Sequence, residues 1–246
     1  MKITYSTLIA TALMAAPALA EDVSYKVGDE DMTGYWAAAK EPRGLVLIVH
    51  DWDGLTDYER KRADMLAEMG FDAFALDMFG QDTPVETLDH RLAATGALYD
   101  DRERMRTLIK AGVEQAREHS KAKNMVVMGY CFGGATALEM ARSDMGSEAL
   151  GYATFHGGLD TPEGETWTGE EPPLLVMHGG ADTSISLEDV ADFTSRLEDA
   201  GNTYTVEIYS GAPHGFSVIG SDTYDARADE ESWTSFEKFL NELTSE

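Results

Sequence analysis

Short apolar runs alternate along this chain with longer stretches of helical periodicity. The clearest run is Gly44–His50 (Gly-Leu-Val-Leu-Ile-Val-His), continuous in its apolar character between turn-forming neighbours. Such a run suits a strand buried on both faces. The pattern predicts further strands at Val23–Val27, Gly34–Ala39, Phe71–Leu76, Met125–Tyr130, Ala149–Phe155, Leu174–His178 and Thr203–Tyr209. It predicts helices at Asp57–Met69, where Ala63, Leu66 and Ala67 share a side and Gly70 supplies a stop, at Ala135–Arg142, at Leu187–Ala200 and at Asp225–Leu243. Residues 84–120 read as helical but polar, with a charge-dense centre at Asp100–Arg106, and residues 157–172 as a long loop. Strands alternating with helices after a β-rich start predict an α/β fold, a mostly parallel central sheet with helices on both faces. In such sheets active groups collect in loops at the carboxyl ends of strands.

The first residues stand apart from this pattern. Lys2, the apolar stretch Leu8–Ala16 and Ala18-Leu19-Ala20 before Glu21 have the order of a secretory signal peptide. The apolar stretch is short for a bilayer span. The reading is therefore a leader over residues 1–20, a single domain over residues 21–246, and a secreted or periplasmic protein with no membrane contact once the leader is cut. The formal charge is −26, and loss of Lys2 makes it one unit more negative. A surface this acidic repels nucleic acid and anionic lipid. The single cysteine cannot form an internal disulfide, so a free thiol in an oxidising compartment is either buried or used.

That cysteine, Cys131, lies in Gly129-Tyr130-Cys131-Phe132-Gly133-Gly134, between a strand and a helix. This is the context of a nucleophile elbow, a turn so tight that the positions two before and two after the nucleophile have no room for a side chain. Helix-terminal N–H groups there favour a thiolate and can hold an oxyanion. A cysteine nucleophile needs a base, and the base needs an orienting group. Of six histidines, His90 and His119 fall on polar helical segments, and His50, His156 and His178 close strands, where packing or hydrogen bonding is the ordinary role. His214 lies in the fixed loop Gly211-Ala212-Pro213-His214-Gly215-Phe216, which presents its side chain. Asp182, after Gly179-Gly180-Ala181, is the candidate orienter, although an aspartate before a helix is also an ordinary cap. Cys131, Asp182 and His214 follow separate strands in the order nucleophile, acid, histidine found in α/β-hydrolases. The oxyanion donors expected are the N–H groups of Phe132 and of Trp52, in the loop after an early central strand. Trp52, Phe79, Phe155 and Phe216 are candidates for an apolar pocket and equally for the core. The glycine-rich turn lacks the Lys-Ser/Thr of a phosphate-binding loop. The histidines show no metal-ligand spacing, so no metal is expected.

Together these residues resemble the dienelactone hydrolase family of the α/β-hydrolase superfamily. The resemblance runs over about residues 25–243. Its anchors are Val49-His50-Asp51-Trp52-Asp53-Gly54-Leu55, Leu76-Asp77-Met78-Phe79-Gly80, the Cys131 turn, His178-Gly179-Gly180-Ala181-Asp182 and Pro213-His214-Gly215-Phe216. It implies the α/β-hydrolase fold and cleavage of a small-molecule ester or lactone, with Cys131 as nucleophile, His214 as base, Asp182 as orienter and no cofactor. It also implies that a carboxylate at Asp51 contacts the resting thiol and helps convert it to thiolate. Family members usually carry glutamate there, and the shorter aspartate predicts a longer or lost contact. Arginines expected near the substrate are replaced by Val218 and Gln81, which with the acidic surface favours neutral substrates over anionic ones. Two other functions fit the same fold: a secreted protein that binds a small molecule without turning it over, and a thiol redox protein. Against the second, there is no second cysteine to resolve an oxidised sulfur.

Overall fold

The computed structural model describes residues 20–245, so the leader expected over residues 1–20 falls outside the described residues except for Ala20. Among these residues eight strands form one sheet: β1 (Ala20–Val27), β2 (Glu30–Ala37), β3 (Leu45–Val49), β4 (Asp72–Leu76), β5 (Met125–Tyr130), β6 (Tyr152–Phe155), β7 (Leu174–Gly179) and β8 (Tyr204–Tyr209). Their spatial order is β1-β2-β4-β3-β5-β6-β7-β8. β1 and β2 are antiparallel to their neighbours, and every pair from β4 to β8 is parallel. The central strands β3, β4, β5, β6 and β7 are buried along their whole length, as strands covered on both faces must be. The edge strand β1 alternates buried and exposed residues over its second half.

Among the described residues six α-helices cover the sheet: α1 (Asp57–Glu68), α2 (Leu88–Asp100), α3 (Arg102–His119), α4 (Phe132–Arg142), α5 (Leu187–Ala200) and α6 (Ala226–Thr244). Successive side chains of a strand point to opposite faces, and the core divides accordingly. Leu45, Leu47 and Val49 of β3 pack with Met105 and Ile109 of α3, Leu138 of α4 and Phe193 of α5. Val46 and Ile48 pack on the other face with Leu66 of α1 and Trp233 and Phe236 of α6. This mostly parallel sheet with helices on both faces is the α/β-hydrolase architecture.

Two helical segments differ from the sequence reading. Residues 84–120 form two helices rather than one, because Asp101 leaves helical geometry (φ −124°, ψ 80°) and its side chain caps α3 by accepting from the Arg104 N–H. The elbow helix begins at Phe132, three residues earlier than predicted, since Gly133 and Gly134 belong to its first turn. The α1 and α5 helices start on reciprocal capping boxes, Thr56 with Glu59 and Ser186 with Asp189.

Candidate active site

Cys131 sits between β5 and α4 with φ 50° and ψ −109°, a left-handed backbone that L side chains rarely adopt. The surrounding glycines make this turn possible. A Cβ on Gly129 would lie 2.0 Å from the Gly133 carbonyl oxygen, and one on Gly133 would lie 2.2 Å from the Val49 carbonyl oxygen. The turn therefore closes against its own helix and against β3. Hydrogen bonds from the N–H groups of Gly134, Ala135 and Gly158 to the Cys131 carbonyl hold it in place.

The sulfur, half-buried, is 3.1 Å from His214 Nε2. On the other side of the ring, His214 Nδ1 is 2.8 Å from Asp182 Oδ2. The second oxygen of Asp182 accepts from the N–H groups of Ser184 (2.8 Å) and Ile185 (2.9 Å). Burial raises the Asp182 pKa, but the hydrogen bonds from His214, Ile185 and Ser184 outweigh it and leave the carboxyl below its ordinary value. Asp182 is thus an ionised acceptor whose side chain is fully shielded from solvent. The two loops meet directly, with the Ala181 N–H donating to the Ala212 carbonyl at 2.9 Å. Three residues spread over 83 positions of the sequence form one connected line, Asp182–His214–Cys131.

Asp51 lies against this line. Its charge lies near enough to raise the pKa of the Cys131 thiol, while its Oδ1 accepts from the Trp52 N–H rather than from the sulfur. His50 helps shape the loop after β3: its Nε2 accepts from the Met78 N–H (3.0 Å), so its Nδ1 carries the proton donated to the Asp51 carbonyl (2.5 Å). Burial, with Asp53 and Glu59 nearby, pushes the Asp51 pKa up to about 6 despite the hydrogen bond from Trp52. Burial also pushes Glu59 up to about 7.

The thiol responds to the same surroundings. Burial and the adjacent Asp51 carboxylate hold its pKa well above the ordinary value, against the opposing hydrogen bond from the Phe132 N–H. The resting sulfur is therefore protonated, whereas the helix terminus alone suggested a thiolate. Phe132, whose N–H is the first expected oxyanion donor, opens α4 directly after the nucleophile. The Trp52 N–H donates to Asp51 Oδ1 at 2.5 Å in this state.

The expected pocket aromatics divide. Phe155 and Phe216 are fully buried in the core on the α1–α6 face. Phe79 packs on Phe132 at 5.4 Å between ring centroids, and Trp52 is partly exposed beside the nucleophile loop. Sequence reasoning missed Tyr99, at the end of α2. Its ring meets Phe132 edge-on at 5.6 Å, and its hydroxyl is 3.9 Å from where a Gly158 Cβ would lie. Burial and the negative charge of a Cys131 thiolate both push its pKa up, in keeping with a place at the rim of the site. Its position after the buried Leu98 was the only sequence signal. Gln81 turns away and donates to Thr33 Oγ1, while Val218 packs at the margin of the core beneath the His214 loop. Arg91, stacked over Trp52, is committed to the Val85 carbonyl and to Asp53. Among the described residues no group of three or more His, Cys, Asp or Glu is placed to hold a metal ion. Nor, among those residues, is any helix long and apolar enough to cross a membrane.

The model of the Dienelactone hydrolase family matches residues 32–244, nearly all of the described fold. The chain belongs to the dienelactone hydrolase family. It is 26% identical over 203 residues to a Bradyrhizobium sp protein named "Probable 2-oxo-3-(5-oxofuran-2-ylidene)propanoate lactonase", covering 76% of this chain and 79% of that protein. It is 24% identical over 205 residues to a carboxymethylenebutenolidase of Pseudomonas putida, covering 77% and 82%. Among solved structures, the dienelactone hydrolase-like promiscuous phosphotriesterase P91 from metagenomic libraries superposes with a TM-score of 0.82. It is 28% identical, over 93% of this chain and 99% of that one. Within the dienelactone hydrolase family the elbow cysteine, the buried aspartate and the loop histidine of this chain stand in the order and geometry that nucleophilic acyl transfer requires.

Proposed function

We propose that this dienelactone hydrolase family member cleaves small neutral carboxylic esters or lactones through an acyl-thioester on Cys131. The observation that carries the reading is the line of contacts from Asp182 through His214 to the sulfur, 2.8 Å and 3.1 Å long. With Nδ1–H donated to Asp182, His214 presents an unprotonated Nε2 to the thiol. Nε2 takes the thiol proton as sulfur attacks the substrate carbonyl. The Phe132 N–H, and the Trp52 N–H once Asp51 turns from it, hold the developing oxyanion. Each such donor is worth about 3 kcal/mol. The imidazolium then protonates the leaving oxygen, releasing an alcohol or opening the lactone. Finally His214 draws a proton from water, which attacks the thioester, frees the acid and returns the thiol.

Asp51 has a further part in this cycle. A carboxylate beside the sulfur opposes the thiolate, so the nucleophile stays protonated until a substrate displaces that carboxylate. The lactonase named among the relatives supports lactones as substrates alongside open esters.

Charge sets the preference between substrates. Val218 and Gln81 offer no cation to a substrate carboxylate, and Arg91 is already paired with Asp53. At low ionic strength, kcat/KM for neutral 4-nitrophenyl acetate is expected to exceed that for anionic 4-nitrophenyl hemisuccinate about tenfold, with the gap narrowing as salt screens the acidic surface. Equal or higher kcat/KM for the anionic ester would contradict this preference.

A further inference from the structure

His156 closes β6 immediately behind the catalytic histidine. It is fully buried, and its φ of 42° makes it, with Cys131, one of two non-glycine residues at positive φ among the described residues. Such a backbone costs energy and persists only where the surroundings enforce it. The imidazole stands edge-on to the His214 ring, with centroids 5.2 Å apart and planes at 66°. Phe216 packs against it at 5.3 Å. His156 Nε2 is 2.9 Å from Ser217 Oγ, and that hydroxyl is 2.8 Å from Tyr58 Oη. The Ser217 carbonyl accepts from Arg62 Nη2 at 3.0 Å, and Arg62 is itself paired with Asp229 of α6. A buried polar chain thus ties the loop bearing His214 to α1, β6 and α6.

The hydrogen bond to Asp182 fixes one point of the His214 ring. Small torsions about the Cβ–Cγ bond still tilt the ring within the tolerance of that hydrogen bond, and such a tilt carries Nε2 off the sulfur. A second contact, against the ring from outside its own plane, narrows that tilt. We propose that His156 is a positioning residue for ester cleavage, holding the His214 imidazole so that Nε2 stays over Cys131 Sγ, with Ser217 and Tyr58 locking His156 in turn. Burial, reinforced by the neighbouring His214, keeps the His156 imidazole neutral. It therefore adds no positive charge next to His214 when that ring takes the thiol proton.

This inference rests on the proposed ester cleavage, and the test separates the two. Asparagine tolerates positive φ, so His156→Asn removes the ring while sparing the backbone. With 4-nitrophenyl acetate, kcat of His156→Asn is expected to fall about 100-fold while KM stays within about threefold, since misplacing a catalytic group by about an ångström costs that much. Alkylation of Cys131 by iodoacetamide at neutral pH slows with it, because it too needs the proton taken by Nε2. Ser217→Ala keeps the ring but frees it, and a fall in kcat of about tenfold is expected, a part of the same misplacement. If His156→Asn does not fold, the kcat-against-KM split of Ser217→Ala decides. Unchanged kcat in the folded variants, or a loss confined to KM, overturns the positioning role. A wild-type protein that turns over no ester overturns the ester reading itself.

Discussion

Cys131→Ala is expected to lower kcat/KM for 4-nitrophenyl acetate by about 10⁴-fold or more, the loss seen when a nucleophile is removed from a triad that acts as a unit. The thermal midpoint should stay close to that of the wild type. The thiol's hydrogen-bond partner is His214 of the same site, and its burial beside Asp51 favours only the neutral form. A loss of activity at unchanged stability therefore reports chemistry rather than folding. A protein that merely binds small molecules would show no turnover in either form. A variant that keeps most of its activity would remove Cys131 from the mechanism.

The second large effect is structural. Gly133→Ala places a methyl group 2.2 Å from the Val49 carbonyl oxygen and 2.5 Å from that of His50, both backbone atoms of the strand and loop that carry Asp51 and Trp52. Neither can retreat without opening the β3–β5 ladder or moving the oxyanion loop. The cost should reach roughly 4 kcal/mol or more, a fall in thermal midpoint on the order of 10 °C in a domain of this size. Activity should collapse with it. Gly96→Ala is the matched control: it lies in α2 with nothing within 4 Å of the new methyl, and should be neutral or stabilising by up to about 1 kcal/mol. Scanning calorimetry of the two variants beside the wild type checks the contrast. A Gly133→Ala protein as stable as the wild type would mean that the elbow is looser than its geometry implies.

The parts of this fold most legible in the sequence were those governed by local patterns. Buried parallel strands need apolar residues on both faces, so β3 and β5 stood out as unbroken runs. The elbow needs small residues at fixed positions, so Gly129 and Gly133 pointed to Cys131. Asp182 and His214 followed from chain order and from loops placed at strand ends, and the structure brings both to the sulfur. What stayed hidden depends on distance across the fold. Gly133 and Gly134 read as turn residues although they open α4, because their helical role comes from close approach to β3 and β6. The break between α2 and α3 is a single capping aspartate inside a polar stretch. The influence of the Asp51 charge on the thiol turns on the path of the loop after β3, which no residue spacing specifies. His156 looked like any other strand-end histidine, and only the assembled core places its ring against His214.

The same packing explains why the site rests in a guarded state. The sulfur is protonated beside a buried carboxylate, and that carboxylate occupies the Trp52 N–H, a donor proposed for the oxyanion. A thiol held in its neutral form also meets oxidants less readily than a thiolate would.

The most direct test of the mechanism is to trap its covalent intermediate. Wild-type protein is mixed with excess 4-nitrophenyl acetate, quenched in acid during turnover, and weighed intact and as peptides. The account predicts a fraction of molecules heavier by one acetyl group, carried on the Cys131 peptide as a thioester that neutral hydroxylamine removes. Steady turnover with the acetyl group on another side chain, or with Cys131 alkylated beforehand and activity undiminished, would contradict it.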